Sequence, residues 1–377
     1  MKRRGFINLG AAGIAAGAFN GCSSSLKSTP RLRKTHSDTA PDAAVSLVTG
    51  TDRRQNIHNA LKPFKAHLAN AIGDRQVFIK INCVWDSSPL CATHPDSIRG
   101  TLDFLGDITD KSVIVGESTA SPKGAYGVYE EYGILPLARE YPVELIELND
   151  QPTSRITILS ADLQPIRIRV INHFLDDRYF MISLGRPKTH ETAIATMSLK
   201  NVVMGAPLKI QKRGINDKQQ MHQGQKHPKM LHYNMYQLAH YVRPDFSIID
   251  GLVGMEGNGP VWGTPVEHNI ALASPDFLAA DMITAELMGL PFEDLGYLTY
   301  CAVDNLGQGD RSRINIIGAD SADRVDPADH VIAYKRHISN PWAMKWKEEL
   351  VYPEGSEGVW SAQEWEDWHK KYGSQEK

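Results

Sequence analysis

An alternation constrains this chain most: short apolar runs rich in Val and Ile recur between segments with helical spacing. The runs are QVFIKIN (76–82), KSVIVGES (111–118), PVELIELN (142–149), IRIRVI (166–171), YFMISL (179–184), FSIIDG (246–251), NIALAS (269–274) and INIIGA (314–319). Helical segments fall at 55–72, 95–107, 228–242 and 276–289. Strands that alternate with helices imply an α/β fold, a mostly parallel sheet with helices on both faces. Thr93-His94-Pro95-Asp96 marks a helix start, because Pro is tolerated in the first turn where its missing N–H would have no partner anyway.

Such a sheet gathers ligands outside the carboxyl ends of its strands. Polar residues crowd those ends. Lys80 and Asn82 close the first run, Glu117 and Ser118 the second, and Asn149 and Asp150 the third; Asp250 closes FSIID, and Ser274 and Asp276 follow NIALA. After YFMISL comes GRPKTHETAIATMSLKN (185–201), which carries Arg186, Lys188, His190 and Lys200 against one acid, Glu191. Net charge over the whole chain is −3, so this cationic burst is local and does not make the protein a nucleic-acid binder.

These residue types suit a small anion. Lys supplies a point charge and His a proton near neutral pH. His190 or His94 is the expected general acid or base, with Lys188, Lys200 and Lys80 gripping a carboxylate or phosphate. Asn82, Ser118, Asn201 and Asn258 are expected to bind substrate. Glu117, Asp250, Glu256 and Asp281 are expected to tune those groups or to hold a divalent metal.

Two segments interrupt the rhythm. IIDGLVGMEGNGPVWGTPVEH (248–268) is glycine-rich, but it lacks the G-x-G-x-x-G helix opening and the Walker lysine, so it is not read as a nucleotide loop. Residues 206–229 are long, polar and basic, which fits either a solvated surface loop or a mobile cover over the site.

Cys83 and Cys91 stand close enough in sequence for a disulfide, an option left open. No C-x-x-C or ferredoxin-type run occurs, so a cysteine-ligated iron–sulfur cluster is not expected.

The termini differ from the middle. MKRRGFINLGAAGIAAGAFNGCSSS has a basic start and an Ala/Gly-rich apolar run too short to span a bilayer. Arg3-Arg4 before Gly5-Phe6-Ile7 resembles a twin-arginine (Tat) export signal. Gly21-Cys22 before three serines resembles a lipoprotein cleavage site, although Phe19 and Asn20 depart from the usual pattern. The resulting division is a signal peptide at 1–22, a polar linker at 23–45, the α/β domain at 46–330, and a Trp-rich helical tail at 331–377. The expected setting is periplasmic or cell-surface, with the Tat translocase as partner during export and a lipid on Cys22 as membrane anchor.

The motifs together resemble the family called domain of unknown function 362. Lys80-Ile81-Asn82, Thr93-His94-Pro95, Gly116-Glu117-Ser118, Pro187-Lys188-Thr189-His190, Leu199-Lys200-Asn201, Asp250-Gly251, Met255 to Pro260 and Ala280-Asp281 follow in that family's order. Ile81 and Glu117 depart from it, and the ferredoxin-like segment of some relatives is missing. The resemblance implies positions for a site better than it implies a reaction. A more distant likeness is to lactate racemase of the nickel-pincer type, where a strand is also followed by a His and, ten residues on, a Lys; the rest of that signature is absent here. The combined reading is an extracytoplasmic enzyme acting on a small anionic substrate. The alternatives are a non-catalytic ligand- or metal-binding lipoprotein and a membrane-surface assembly partner.

Overall fold

The computed structural model describes residues 40–210, 213–223, 228–320, 322 and 324–337. In chain order the strands are β1 (Ala43–Thr49), β2 (Gln76–Lys80), β3 (Val113–Glu117), β4 (Val143–Glu147), β5 (Thr153–Leu159), β6 (Pro165–Ile171), β7 (Tyr179–Gly185), β8 (Lys188–His190), β9 (Ile194–Thr196), β10 (Lys209–Ile210), β11 (Ile215–Asn216), β12 (Phe246–Glu256), β13 (Thr264–Ser274) and β14 (Ile314–Ile317). The helices are α1 (Arg53–Leu61), α2 (Lys65–Ile72), α3 (Pro95–Leu105), α4 (Gly124–Glu131), α5 (Leu137–Glu140), α6 (Ser198–Val203), α7 (Asp217–His222), α8 (Pro228–Ala239), α9 (Phe277–Leu287) and α10 (Gly296–Val303).

The main sheet runs β14-β1-β13-β12-β7-β2-β3-β4 and is mostly parallel, as the alternation implies. β13 alone on this path is reversed, pairing antiparallel with both β1 and β12. Side-chain alternation sends neighbouring residues of each strand to opposite faces. Val77 and Ile79 of β2 pack with Ile57, Leu68, Ile98 and Val128 from α1 to α4. Phe78, between them, packs with Leu199, Val202 and Val203 of α6 and the α8–α10 side chains. Burying a Phe in this way is worth about 2–3 kcal/mol. Lys80 and Lys188 also stand among the largest fully buried side chains, which hydrophobicity does not explain.

Several expectations need correction. β1 starts at Ala43 and pairs with Ile314, so the α/β domain begins inside the segment read as linker. The helix read over 55–72 is two helices, because Pro63 has no N–H to continue the ladder and a short 3-10 turn, Lys62–Phe64, joins them. IRIRVI does not enter the main sheet; it pairs antiparallel with β5 in a separate hairpin. The reversal of β13 puts Ser274 and Asp276 at the edge opposite the proposed site, where Asp276 accepts the Leu278 and Ala279 N–H groups and caps α9.

Within 206–229 the described part is the β10–β11 hairpin and α7, tied down where Asp217 takes two bonds from the Arg169 guanidinium at 2.7 and 2.9 Å. Cys83 and Cys91 are buried free thiols. Tyr334, from the segment read as tail, is buried against His268 with its hydroxyl 3.1 Å from Nδ1. The export signal, Cys22 and the tryptophans beyond residue 340 lie outside the described residues. Among the described residues no helix is long and apolar enough to cross a membrane.

Candidate functional site

β3 and β4 lie to one side of β2 and β7 and β12 to the other, so the switch point of the sheet falls between β2 and β7. A crevice opens at such a point. It holds a cavity of about 80 Å³ lined by Lys80, Asn82, Glu117, Ser118, Lys188, His190, Lys200 and Asn201, with Thr196, Gly205 and Lys218 completing the wall. Eight residues expected in the site from the sequence therefore meet in one place, six of them at or after strand ends and Lys200 and Asn201 on α6.

Three of the four lysines are held. Lys80 Nζ lies 3.0 Å from Glu117 Oε1 and 3.2 Å from Asn201 Oδ1. Lys188 Nζ donates to Asn82 Oδ1. Lys218 Nζ donates to Ser118 Oγ at 3.0 Å and to the carbonyls of Met204 and Gly205 at 2.8 and 3.2 Å. The Lys200 side chain makes no hydrogen bond or ion pair among the described residues, although the residue is only 6% exposed. Thr196 Oγ1, also on the wall, is buried without a partner among the described residues.

Burial disfavours charge, and like charges add to the effect. Burial pushes Lys200 down to about 7, with Lys188 contributing. Lys218 falls to about 7 through burial and Lys80. Lys188 falls to about 8 through burial, with Arg186 adding to it. His190 is held well below its ordinary value by burial and the Lys200 charge. Its Nδ1 accepts the N–H groups of Thr192 and Ala193 at 3.0 and 3.2 Å, so the ring proton sits on Nε2.

Local structure explains these positions. β8 and β9 form a hairpin pairing His190 with Ile194, whose φ of 65° is a strained conformation for a β-branched residue. α6 follows at once and carries Lys200 and Asn201; Asp281 on α9 accepts the N–H groups of Ser198 and Leu199 at 2.7 and 2.9 Å and so fixes its first turn. Gly205 lets the chain pass close by: a Cβ there would stand 2.4 Å from Lys80 Cε.

Other expected residues lie elsewhere. His94 is the N-cap of α3, its Nδ1 accepting the Asp96 N–H at 3.1 Å. Asp250 shares the face of Ile248, away from α6, and binds Arg53 at 3.0 Å and Ser97 Oγ at 2.6 Å. Glu256 accepts the Lys335 N–H at 2.9 Å. Asn258 is exposed beside a second, open cavity of about 500 Å³ that also includes Glu191 and Trp262 and adjoins the first at Pro260. The four carboxylates expected to hold a metal are thus not gathered, and among the described residues no three His, Cys, Asp or Glu form a metal-binding group. Lys80, Lys188 and Lys218 beside Glu117 also oppose a divalent cation in this cavity. Lys218 and Gly205 were not anticipated; the basic character of 206–229 was the one available signal for Lys218.

A family model described as domain of unknown function (DUF362) matches residues 77–286. A thylakoid-associated protein of Synechocystis sp. is 28% identical over 262 residues, covering 69% of this chain and 74% of that protein. The lactate racemase apoprotein from Thermoanaerobacterium thermosaccharolyticum aligns with a TM-score of 0.41 and 12% identity, over 64% of this chain and 56% of its own. A protein from Thermotoga maritima aligns with a TM-score of 0.39 and 13% identity, over 63% of this chain and 60% of its own.

Proposed function

The chain belongs to the family described as domain of unknown function (DUF362), and from that premise we propose that it is an enzyme acting on a small carboxylate or phosphate in the lysine-lined cavity. The observation that carries this reading is the Lys200 amine, which has no acceptor among the described residues, on the same wall as the buried and unsatisfied Thr196 Oγ1 and three further buried lysines. A buried polar group left unpaired costs about 1–3 kcal/mol. A bound anion that accepts from Thr196 removes that cost and gives Lys200 an acceptor.

Turnover is favoured over passive capture by the electrostatics. A receptor for anions is best served by ammonium groups that stay charged. Lys200 and Lys218, pushed to about 7, are charged only part of the time at neutral pH. Groups poised in this way suit proton transfer, whose efficiency is greatest when the pKa lies near the working pH. His190, neutral with its proton on Nε2, serves as a hydrogen-bond donor to the substrate, and Lys200 as the reactive amine.

Calorimetric titration of the full chain with phosphate and with acetate tests the pocket. Lys200→Met should weaken binding about tenfold or more, the scale of one charged hydrogen bond. Equal affinity in wild type and variant would refute the assignment.

We propose further that the protein works outside the cytoplasm, exported through Arg3-Arg4 and anchored by a lipid on Cys22. Support comes from the N-terminal residues alone. Detergent partitioning and intact mass of the mature chain check it: a Cys22→Ser chain that still carries a lipid mass would refute the anchor.

A further inference from the structure

We propose that Lys200 is a nucleophilic amine that condenses with the carbonyl group of a small 2-oxo acid, a substrate class within the anion reading on which this inference rests. The geometry singles out Lys200. Lys80, Lys188 and Lys218 are each anchored by acceptors, which leaves them placed to hold a carboxylate. Lys200 lines the same cavity with no acceptor of its own among the described residues. It projects from α6, whose first turn is locked by Asp281, so the amine sits on a rigid support. A desolvated amine beside other cations is a standard arrangement for an activated lysine nucleophile. The depressed affinity of Lys200 for its proton agrees with this, since only the neutral amine attacks.

The cavity limits the partner. About 80 Å³ beside the lysines accommodates a reacting group three or four heavy-atom bonds in length. With the carboxylate against the anchored lysines, the adjacent carbonyl carbon falls to the remaining amine. The nitrogen lone pair forms the C–N bond while the C=O π pair moves onto oxygen; the proton that the nitrogen gives up passes to that oxygen, giving a neutral carbinolamine. The C–O bond then breaks; the hydroxyl leaves as water with a proton from a neighbouring ammonium such as Lys188, and the product is an iminium on Lys200. No electrons are gained or lost overall.

The experiment is reductive trapping. The full chain is incubated with pyruvate and cyanoborohydride, and the intact mass and peptide map are recorded; pyruvate binding is followed in parallel by thermal shift without reductant. The expected result is one reduced adduct per chain, located at Lys200 and lost in Lys200→Met. If Lys200→Met does not fold, the wild-type peptide map still decides. Stabilisation by pyruvate with no adduct at Lys200, or with adducts only at other lysines, would overturn the nucleophile and leave the anion pocket standing. Neither stabilisation nor adduct would overturn both.

Discussion

Lys80 and Glu117 form an ion pair at 3.0 Å with side chains 1% and 4% exposed, and Glu117 also accepts the N–H groups of Cys83 and Ser118. The pair joins the ends of β2 and β3 at the wall of the cavity. Removing one member of a buried pair costs about 3–5 kcal/mol, because the other charge is left without compensation. Glu117→Gln should therefore lower the urea midpoint strongly. The double variant Lys80→Met/Glu117→Gln should recover part of the loss. Equal midpoints for the single and double variants would show that the backbone bonds of Glu117, not its charge, matter.

Stability should rise with pH where the lysines lose their protons in the fold but not in the unfolded chain. Lys200 and Lys218 sit near 7 and Lys188 near 8 when folded. Unfolded lysine sits near 10.4, so between these values the unfolded state binds more protons and the folded state gains as pH rises. The benefit is lost as pH falls through the folded values. Two effects run the other way: Asp281, raised to about 7 by burial, loses stability as pH rises toward 7, and the buried thiols of Cys83 and Cys301, pushed up, do so above about 8.5. The difference between wild type and Lys200→Met isolates the lysine. Melting from pH 7 to 8.5 should show the wild type gaining relative to the variant by up to about 1.4 kcal/mol per pH unit. Acetate affinity should fall over the same range. A pH-independent difference would mean that Lys200 stays charged.

Asp281 should influence Lys200 without touching the substrate. Its carboxylate accepts two N–H groups at the start of α6, and an amide oxygen can serve in its place less well because the amide nitrogen brings a donor to donors. Loss of such a cap costs about 1–2 kcal/mol. Asp281→Asn is expected to lower the melting temperature, weaken acetate binding and leave the protein indifferent to added divalent metal. Metal-dependent stabilisation of the wild type that vanished in Asp281→Asn would restore the carboxylate as a ligand.

The strands were legible because Val and Ile runs signal them regardless of partner. Their directions were not. NIALAS is as apolar as its parallel neighbours, and nothing in its residues announces that β13 runs backwards, so Asp276 was assigned to the wrong edge. The site was legible where polar residues follow parallel strands directly, as Lys80 and Glu117 do. Asp250 failed that test for a reason of period: it points to the Ile248 side of a strand that continues to Glu256. His94 failed because capping and catalysis use the same residue types, and only the bond from the Asp96 N–H tells them apart. Lys218 was hidden among several equally basic neighbours, since only folding the hairpin and α7 against Arg169 selects which lysine turns inward.

Lys218 gives the sharpest test of the cavity because two of its effects have opposite pH dependence. In acid its ammonium is a buried charge beside Lys80, which weakens the fold. Toward pH 9 the neutral amine keeps two N–H groups for the three acceptors Ser118 Oγ, Met204 O and Gly205 O, so it still donates two hydrogen bonds and no longer carries that penalty. Lys218→Met keeps most of the apolar stem and removes both contributions. The variant should therefore be close to wild type in stability at pH 6 and clearly less stable at pH 9, where only lost hydrogen bonds of about 1 kcal/mol each remain in the balance. Anion binding should show the reverse trend. Its loss should be greatest near pH 6, where the wild-type ammonium is charged, and should shrink by pH 9. Melting and acetate titration at both pH values check the two halves separately. A variant that lost stability equally at pH 6 and 9 would show that Lys218 is a plain structural strut. A variant with unchanged acetate affinity at pH 6 would take the residue out of the binding wall altogether.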